Sequence, residues 1–296
     1  MQPDPSFAGE IPSPPPAEFG DIDLPNTRLH YVRSGSGQPL IIVPATVSLI
    51  RQWLPLAQFI GMRYNAHFFE MPGHGGSTPY PHKFKSEYLP ETVEAFADKL
   101  GFERFNLMGF SFGGLLAMRT LEQLQSRIDR VILLSPLVSK RALKFSTAQM
   151  LLLQTAVAAL RQDLTQETAV RILQNDNLEK PLISLLSRIS NIEKSILESK
   201  DTLKIPITTL DVFAHTMGEI LEMEYQYNGP PFETPCYFGM SVNDDMLEYK
   251  ITEPIVRQHF TNIQMQQFDL PYHQPPLPPT FEWLYSKFSQ FLDLVG

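Results

Sequence analysis

Ser111 stands in the stretch NLMGFSFGGLLAM (106–118), with glycine at both second neighbours, Gly109 and Gly113, and Gly114 following. The segment reads as a buried strand running into a helix, and glycine weakens both elements. Its presence at these spacings therefore points to a tight strand–turn–helix that a larger residue would block. A serine on such a turn projects its hydroxyl above the sheet, and the N–H that follows it, on Phe112, faces outward from a helix N-terminus. That is the arrangement of a nucleophile beside an oxyanion donor.

A serine hydroxyl needs a base to take its proton and a carboxylate to orient that base. Behind such an elbow the acid comes next along the chain and the histidine last. Three histidines follow Ser111, namely His215, His259 and His273. The first lies in a helical stretch and the second near the end of a helix. His273 directly follows the apolar run NIQMQQFDL, in the loop PYHQPPLPP, whose prolines stiffen it as a base-bearing loop requires. The acid belongs at the end of the preceding strand, where PCYFGMSVNDDML offers Asp244 and Asp245. Asp244 fits better as the orienting acid and Asp245 stays open, the unused one serving as a helix cap.

The elements that must hold these residues alternate. EFGDIDLPNTRLHYVRSG reads as two short strands about a Pro25-Asn26 turn. PLIIVP (39–44), AHFFEM (66–71), RFNLMGF (104–110), RVILLSP (130–136), PCYFGM (235–240) and NIQMQQFDL (262–270) read as further strands. Helical stretches separate them. The one at 48–61 contains Pro55, which argues against an uninterrupted helix, and the one at 86–100 is stopped by Gly101. Strand–helix alternation calls for a mostly parallel sheet flanked by helices, an α/β fold. Residues 137–232 break the pattern with four helical stretches and no strand, so they read as a helical cap. The expected organisation is a proline-rich arm (1–17), a first core part (18–136), the cap (137–232) and a second core part (233–296).

Composition narrows the partners. With 32 acidic against 24 basic residues the formal net charge is −8, which gives no support to nucleic-acid binding or to a charged membrane surface. The apolar run MLLLQTAVAAL (150–160) is too short to span a bilayer. Cys236 is the only cysteine, so no internal disulfide forms, and a cytoplasmic setting is expected. The leader, with six prolines in its first twenty residues and no basic start, reads as an extended or mobile arm and not as a secretory signal. Asp211 and His215, four apart on a helix, lack further metal ligands and read as a solvated pair. Nothing in the sequence sets an oligomeric state.

Taken with EMPGHGGS (70–77), the motifs GFSFGG, NDD and YHQPP make the sequence resemble the α/β-hydrolase superfamily, in its single-chain form with a helical cap. The resemblance covers about residues 20–296 and is weakest in the cap. It implies a serine hydrolase without metal or organic cofactor, acting through Ser111, His273 and Asp244 on a small, largely apolar carbonyl substrate, an ester in the first place. Lactone, amide and C–C bond hydrolysis, acyl transfer and perhydrolysis use the same machinery, and a ligand-binding member with little turnover is a further expectation. Two departures stand out. Glu70 replaces the family's aspartate in the 70–77 turn. Pro44-Ala45 stand where the family carries His-Gly, so the second oxyanion N–H falls to Thr46, with Val47 as the fallback. His74, in HGG after the fourth strand, reads as structural.

Overall fold

The computed structural model describes residues 4, 7, 9–46, 48–162, 165–168, 206–275 and 278–295. Eight strands form one sheet: β1 (Ala17–Asp23), β2 (Arg28–Ser34), β3 (Pro39–Val43), β4 (Asn65–Phe69), β5 (Phe105–Phe110), β6 (Ile128–Leu134), β7 (Cys236–Ser241) and β8 (Ile263–Phe268). Their spatial order is β1-β2-β4-β3-β5-β6-β7-β8. The β1–β2 hairpin and the β2–β4 pair are antiparallel. All pairs from β4 through β8 are parallel. The central strands are apolar along their length and buried on both faces, as a helix-covered parallel sheet demands.

The helices are α1 (Ile50–Gly61), α2 (Leu89–Lys99), α3 (Phe112–Leu124), α4 (Thr147–Leu160), α5 (Ile207–Glu222), α6 (Tyr249–Arg257) and α7 (Phe281–Val295). One buried apolar cluster joins α2 and α3 to Ile41, Phe69, Leu107, Val131 and Phe238 on one face of the sheet. A second, on the other face, joins α1 and α7 to Leu40, Ile42, Phe68, Met108 and Ile132. The sheet is thus a layer between two helical layers, and its strands' carboxyl ends open along one edge.

The expectation that Pro55 interrupts the helix at 48–61 is corrected: α1 runs continuously through it. The missing N–H forfeits one bond to the carbonyl of Arg51, an exposed residue, so the loss falls on the solvent side of the helix. Gly101, at φ +74°, ends the α2 segment as expected. Between β6 and β7 the described residues hold α4, a helical turn at 165–168 and α5, with no strand among them. The predicted helical stretch PLISLLSRISNIEKSILES (181–199) lies outside the described residues. The start of the leader is pinned at points of contact: Asp4 pairs with Lys287 at 2.8 Å, Phe7 packs edge-on against Tyr285, and the Pro15 carbonyl accepts from Gln58 Nε2 at 3.0 Å.

Candidate functional site

Ser111 lies between β5 and α3 at φ 53° and ψ −123°, a conformation L-residues rarely adopt. Holding it there costs about 1–3 kcal/mol, so the surroundings must over-determine it. They do. The Ser111 N–H donates to the Leu134 carbonyl at 3.0 Å, and the Ser111 carbonyl accepts from Gly114 and Leu137 at 2.9 and 3.0 Å. The glycines make the turn possible. A Cβ on Gly109 would overlap the Gly113 carbonyl, and a Cβ on Gly113 would sit 2.7 Å from the Val43 oxygen. The N-terminus of α3 therefore abuts the exit of β3, bringing the Phe112 N–H beside the loop that starts at Pro44.

His273 Nε2 lies 2.8 Å from Ser111 Oγ, and His273 Nδ1 lies 2.7 Å from Asp244 Oδ2. The three residues named from sequence, drawn from positions 111, 244 and 273, meet in one hydrogen-bonded line. Of the two aspartates, Asp244 is the one whose carboxylate reaches the imidazole. Asp244 turns inward, 1% exposed, with Oδ1 accepting the N–H groups of Met246 and Leu247 at 2.9 and 2.8 Å. Burial pushes its carboxyl up. The hydrogen bond and charge of His273 and the bonds from Leu247 and Met246 together outweigh that and hold it below its ordinary value. Asp245 instead accepts the backbone N–H of His273 at 2.6 Å, fixing the loop rather than the ring.

Both loops are tied in place. Ser241 Oγ donates to the Leu270 carbonyl at 2.7 Å, and Asn243 Nδ2 donates to Asp269 at 2.7 Å, which joins the exits of β7 and β8. From the other side Lys144 Nζ donates to the Asp244 carbonyl at 2.6 Å. The imidazole also has an aromatic neighbour: the Phe110 ring stacks on it, centroids 4.9 Å apart and planes 28° apart, and Trp53 lies 5.8 Å beyond Phe110. Phe110 is not among the residues the sequence motifs single out. Its signal was available, since the residue before an elbow serine is held close to whatever ring reaches that serine.

The β3–α1 loop carries Thr46. The Ala45 N–H is taken by Ser48 Oγ at 2.9 Å, closing the turn across Thr46. Among the described residues no acceptor takes the N–H of Thr46 or of Phe112. Val47, the fallback donor, lies outside the described residues. His74 is fully buried and far down in pKa, to about 4, because burial penalises its charged form; it is not part of the Ser111–His273–Asp244 line. His259 packs edge-on against Tyr225 and Tyr227, and His215 binds the Asp211 carbonyl on its own helix, so neither joins the line. The Asp211 carboxylate is engaged by Lys83 and Gln166, both at 2.7 Å. Such an array can move a proton from a serine hydroxyl to an imidazole whose charged form a buried carboxylate supports.

The model of the alpha/beta hydrolase fold family matches residues 38–228, and the chain belongs to that family. It is 30% identical over 122 residues, 40% of its length, to N-formylmaleamate deformylase of Pseudomonas putida, and that stretch is 46% of the relative. It is 26% identical over 107 residues to the pimeloyl-[acyl-carrier protein] methyl ester esterase of Nitrosomonas europaea, covering 36% of this chain and 40% of that one. The match thus spans less than half of each relative. Among solved structures, a thermophilic esterase from Thermogutta terrifontis superposes with a TM-score of 0.62 at 14% identity, over 94% of this chain and 96% of that one. A meta-cleavage product hydrolase gives 0.65 at 16% identity, over 93% and 96%. At those identities the likeness is one of fold.

Proposed function

We propose that the protein is a serine hydrolase that works through an acyl-enzyme intermediate on a small, largely apolar carboxylic ester. The observation that carries the reading is the unbroken hydrogen-bonded line from Ser111 Oγ through His273 to the buried Asp244. In this mechanism Ser111 Oγ attacks the carbonyl carbon while His273 Nε2 takes its proton. The oxyanion is bound by the Phe112 and Thr46 N–H groups. The imidazolium, steadied by Asp244, returns the proton to the departing alkoxide, leaving the acyl group on Ser111. Water, deprotonated by His273, then attacks the ester, and Ser111 leaves with the proton back on Oγ. No metal or organic cofactor enters these steps.

Residues 137–232 serve as the cap over the site in this reading, with α4 and α5 as its described helices. Residues 1–17 form the arm, and 18–136 with 233–296 form the core. The substrate is a small molecule. The cytoplasm is the proposed setting, consistent with Cys236 as a buried free thiol; among the described residues no helix is long and apolar enough to cross a membrane. An amide bond is the second reading, favoured by the names of two relatives, the deformylase and the (E)-2-((N-methylformamido)methylene)succinate hydrolase of Acinetobacter baylyi. A panel of p-nitrophenyl esters and matching anilides, run with the wild type and Ser111→Ala, tests both. Ester turnover abolished by the substitution supports the proposal, and anilide turnover exceeding ester turnover supports the second reading. No turnover of either overturns both.

A further inference from the structure

The 70–77 turn is built around the Glu70 carboxylate. Glu70 ends β4's run and is buried, 5% exposed. Its Oε1 accepts the N–H of Ile50 at 2.9 Å, and its Oε2 accepts the N–H of Gly76 at 2.6 Å. Its own carbonyl accepts from Ser77 Oγ at 2.8 Å, and its N–H donates to the His30 carbonyl at 3.0 Å. Gly75, at φ +54°, passes so close that a Cβ there would overlap the carboxylate. The turn therefore folds over this side chain, holding Oε2 inside the loop and leaving Oε1 to reach out of it.

What it is aimed at is the N-terminus of α1. Ile50 is the first residue of that helix, and Leu49 before it has no side-chain capping bond. A carboxylate there satisfies a helix N–H that would otherwise lack an acceptor, and it lies at the positive end of the helix dipole. The six residues between β3 and α1 include Thr46. Their first end is seated where Gly113 meets the Val43 and Pro44 oxygens, and their middle is closed by Ala45 N–H to Ser48 Oγ. Their far end is held by Glu70.

We propose that Glu70 is the positioning residue of the oxyanion loop, fixing the Thr46 N–H from outside by anchoring the first residue of α1. The inference rests on the serine-hydrolase reading above. The glutamate side chain spans the gap from the β4 turn to the first residue of the helix. Glu70 touches no reacting atom. It acts through Ile50 on where the donor points when charge develops on the substrate oxygen.

Two sets of variants test this on p-nitrophenyl butyrate. Glu70→Gln keeps the shape but leaves one of the two N–H groups facing an amide NH2. Ile50→Pro deletes the donor while keeping the backbone. Proline suits the first position of a helix, and Leu49, at φ −100° and ψ 138°, has the extended conformation a residue before proline needs. Ile50→Val, close to proline in volume, keeps the N–H and controls for lost packing. Removing an oxyanion donor outright costs about 10²–10³ in kcat, which sets the ceiling. The expected loss in kcat is about 10–100-fold for Ile50→Pro with KM within about threefold, a smaller loss for Glu70→Gln, whose one oxygen can still take the Ile50 N–H, and Ile50→Val within about twofold of wild type.

Equal turnover of Ile50→Pro and Ile50→Val overturns the proposal even if Glu70→Gln fails to fold. So does a loss confined to KM. Absence of wild-type turnover that depends on Ser111 overturns the underlying hydrolase reading, a different failure from that of Glu70.

Discussion

Asp244→Asn should cost about 10⁴ in kcat, and the reason lies in its two oxygens. Oδ1 accepts two backbone N–H groups, from Met246 and Leu247, and Oδ2 faces His273 Nδ1 at 2.7 Å. An asparagine has one oxygen, and the two N–H groups claim it. Its NH2 is then turned toward Nδ1, which must become an acceptor, so the ring proton moves to Nε2. That nitrogen, 2.8 Å from Ser111 Oγ, can no longer take the serine proton. Four decades correspond to about 5.5 kcal/mol of transition-state stabilisation. Asp245→Asn is the matched control: its Oδ1 accepts the His273 N–H, a role an asparagine oxygen also fills, so kcat should stay within about threefold. The assay is p-nitrophenyl butyrate hydrolysis, with thermal unfolding of each variant to show that it is folded. An Asp244→Asn protein retaining a tenth of wild-type kcat, or an Asp245→Asn loss of equal size, would refute the assignment.

Gly109→Ala should abolish turnover and lower the unfolding temperature, because its Cβ would meet the Gly113 carbonyl; a folded, fully active variant in the ester assay would contradict the elbow geometry. Phe110→Leu removes the ring stacked on His273 and should lower kcat about two- to tenfold, the range expected for one aromatic pair, with KM little changed in the same assay. His67 and His74 are both lowered to about 4, chiefly by burial, with the Asn65 and Met71 carbonyls pulling them partly back up. Unfolded, they bind protons near 6.5, so the unfolded chain holds more protons between pH 6.5 and 4, and stability is lost as pH falls through that window. Each contributes roughly 3 kcal/mol to that loss, and His67→Phe, set among Tyr31, Phe96 and Phe102, should flatten part of it. Unfolding temperatures that fall equally in both proteins from pH 7 to pH 5 would contradict this.

Much of the site is legible in local sequence because its constraints are local. Gly109, Gly113 and Gly114 announce a turn that only small residues permit, and the apolar runs before and after it announce buried parallel strands. His273 is legible by elimination, since only it follows a strand directly. The division of labour between Asp244 and Asp245 is not, because it depends on which side chain finds the N–H fan of Met246 and Leu247, a matter of loop path. Pro55 misleads because the bond it removes lies on the wet side of α1. The reach of Glu70 to Ile50 is invisible for a different reason. It joins segments whose proximity exists only once β3 and β4 lie side by side.

The most direct test of the central claim is intact-mass spectrometry after exposure to a fluorophosphonate probe, followed by peptide mapping. An activated Ser111 predicts one adduct per chain, mapped to the peptide carrying GFSFGG and absent in Ser111→Ala and His273→Ala. A folded wild-type protein that takes up no label, or takes it up equally in His273→Ala, would contradict it.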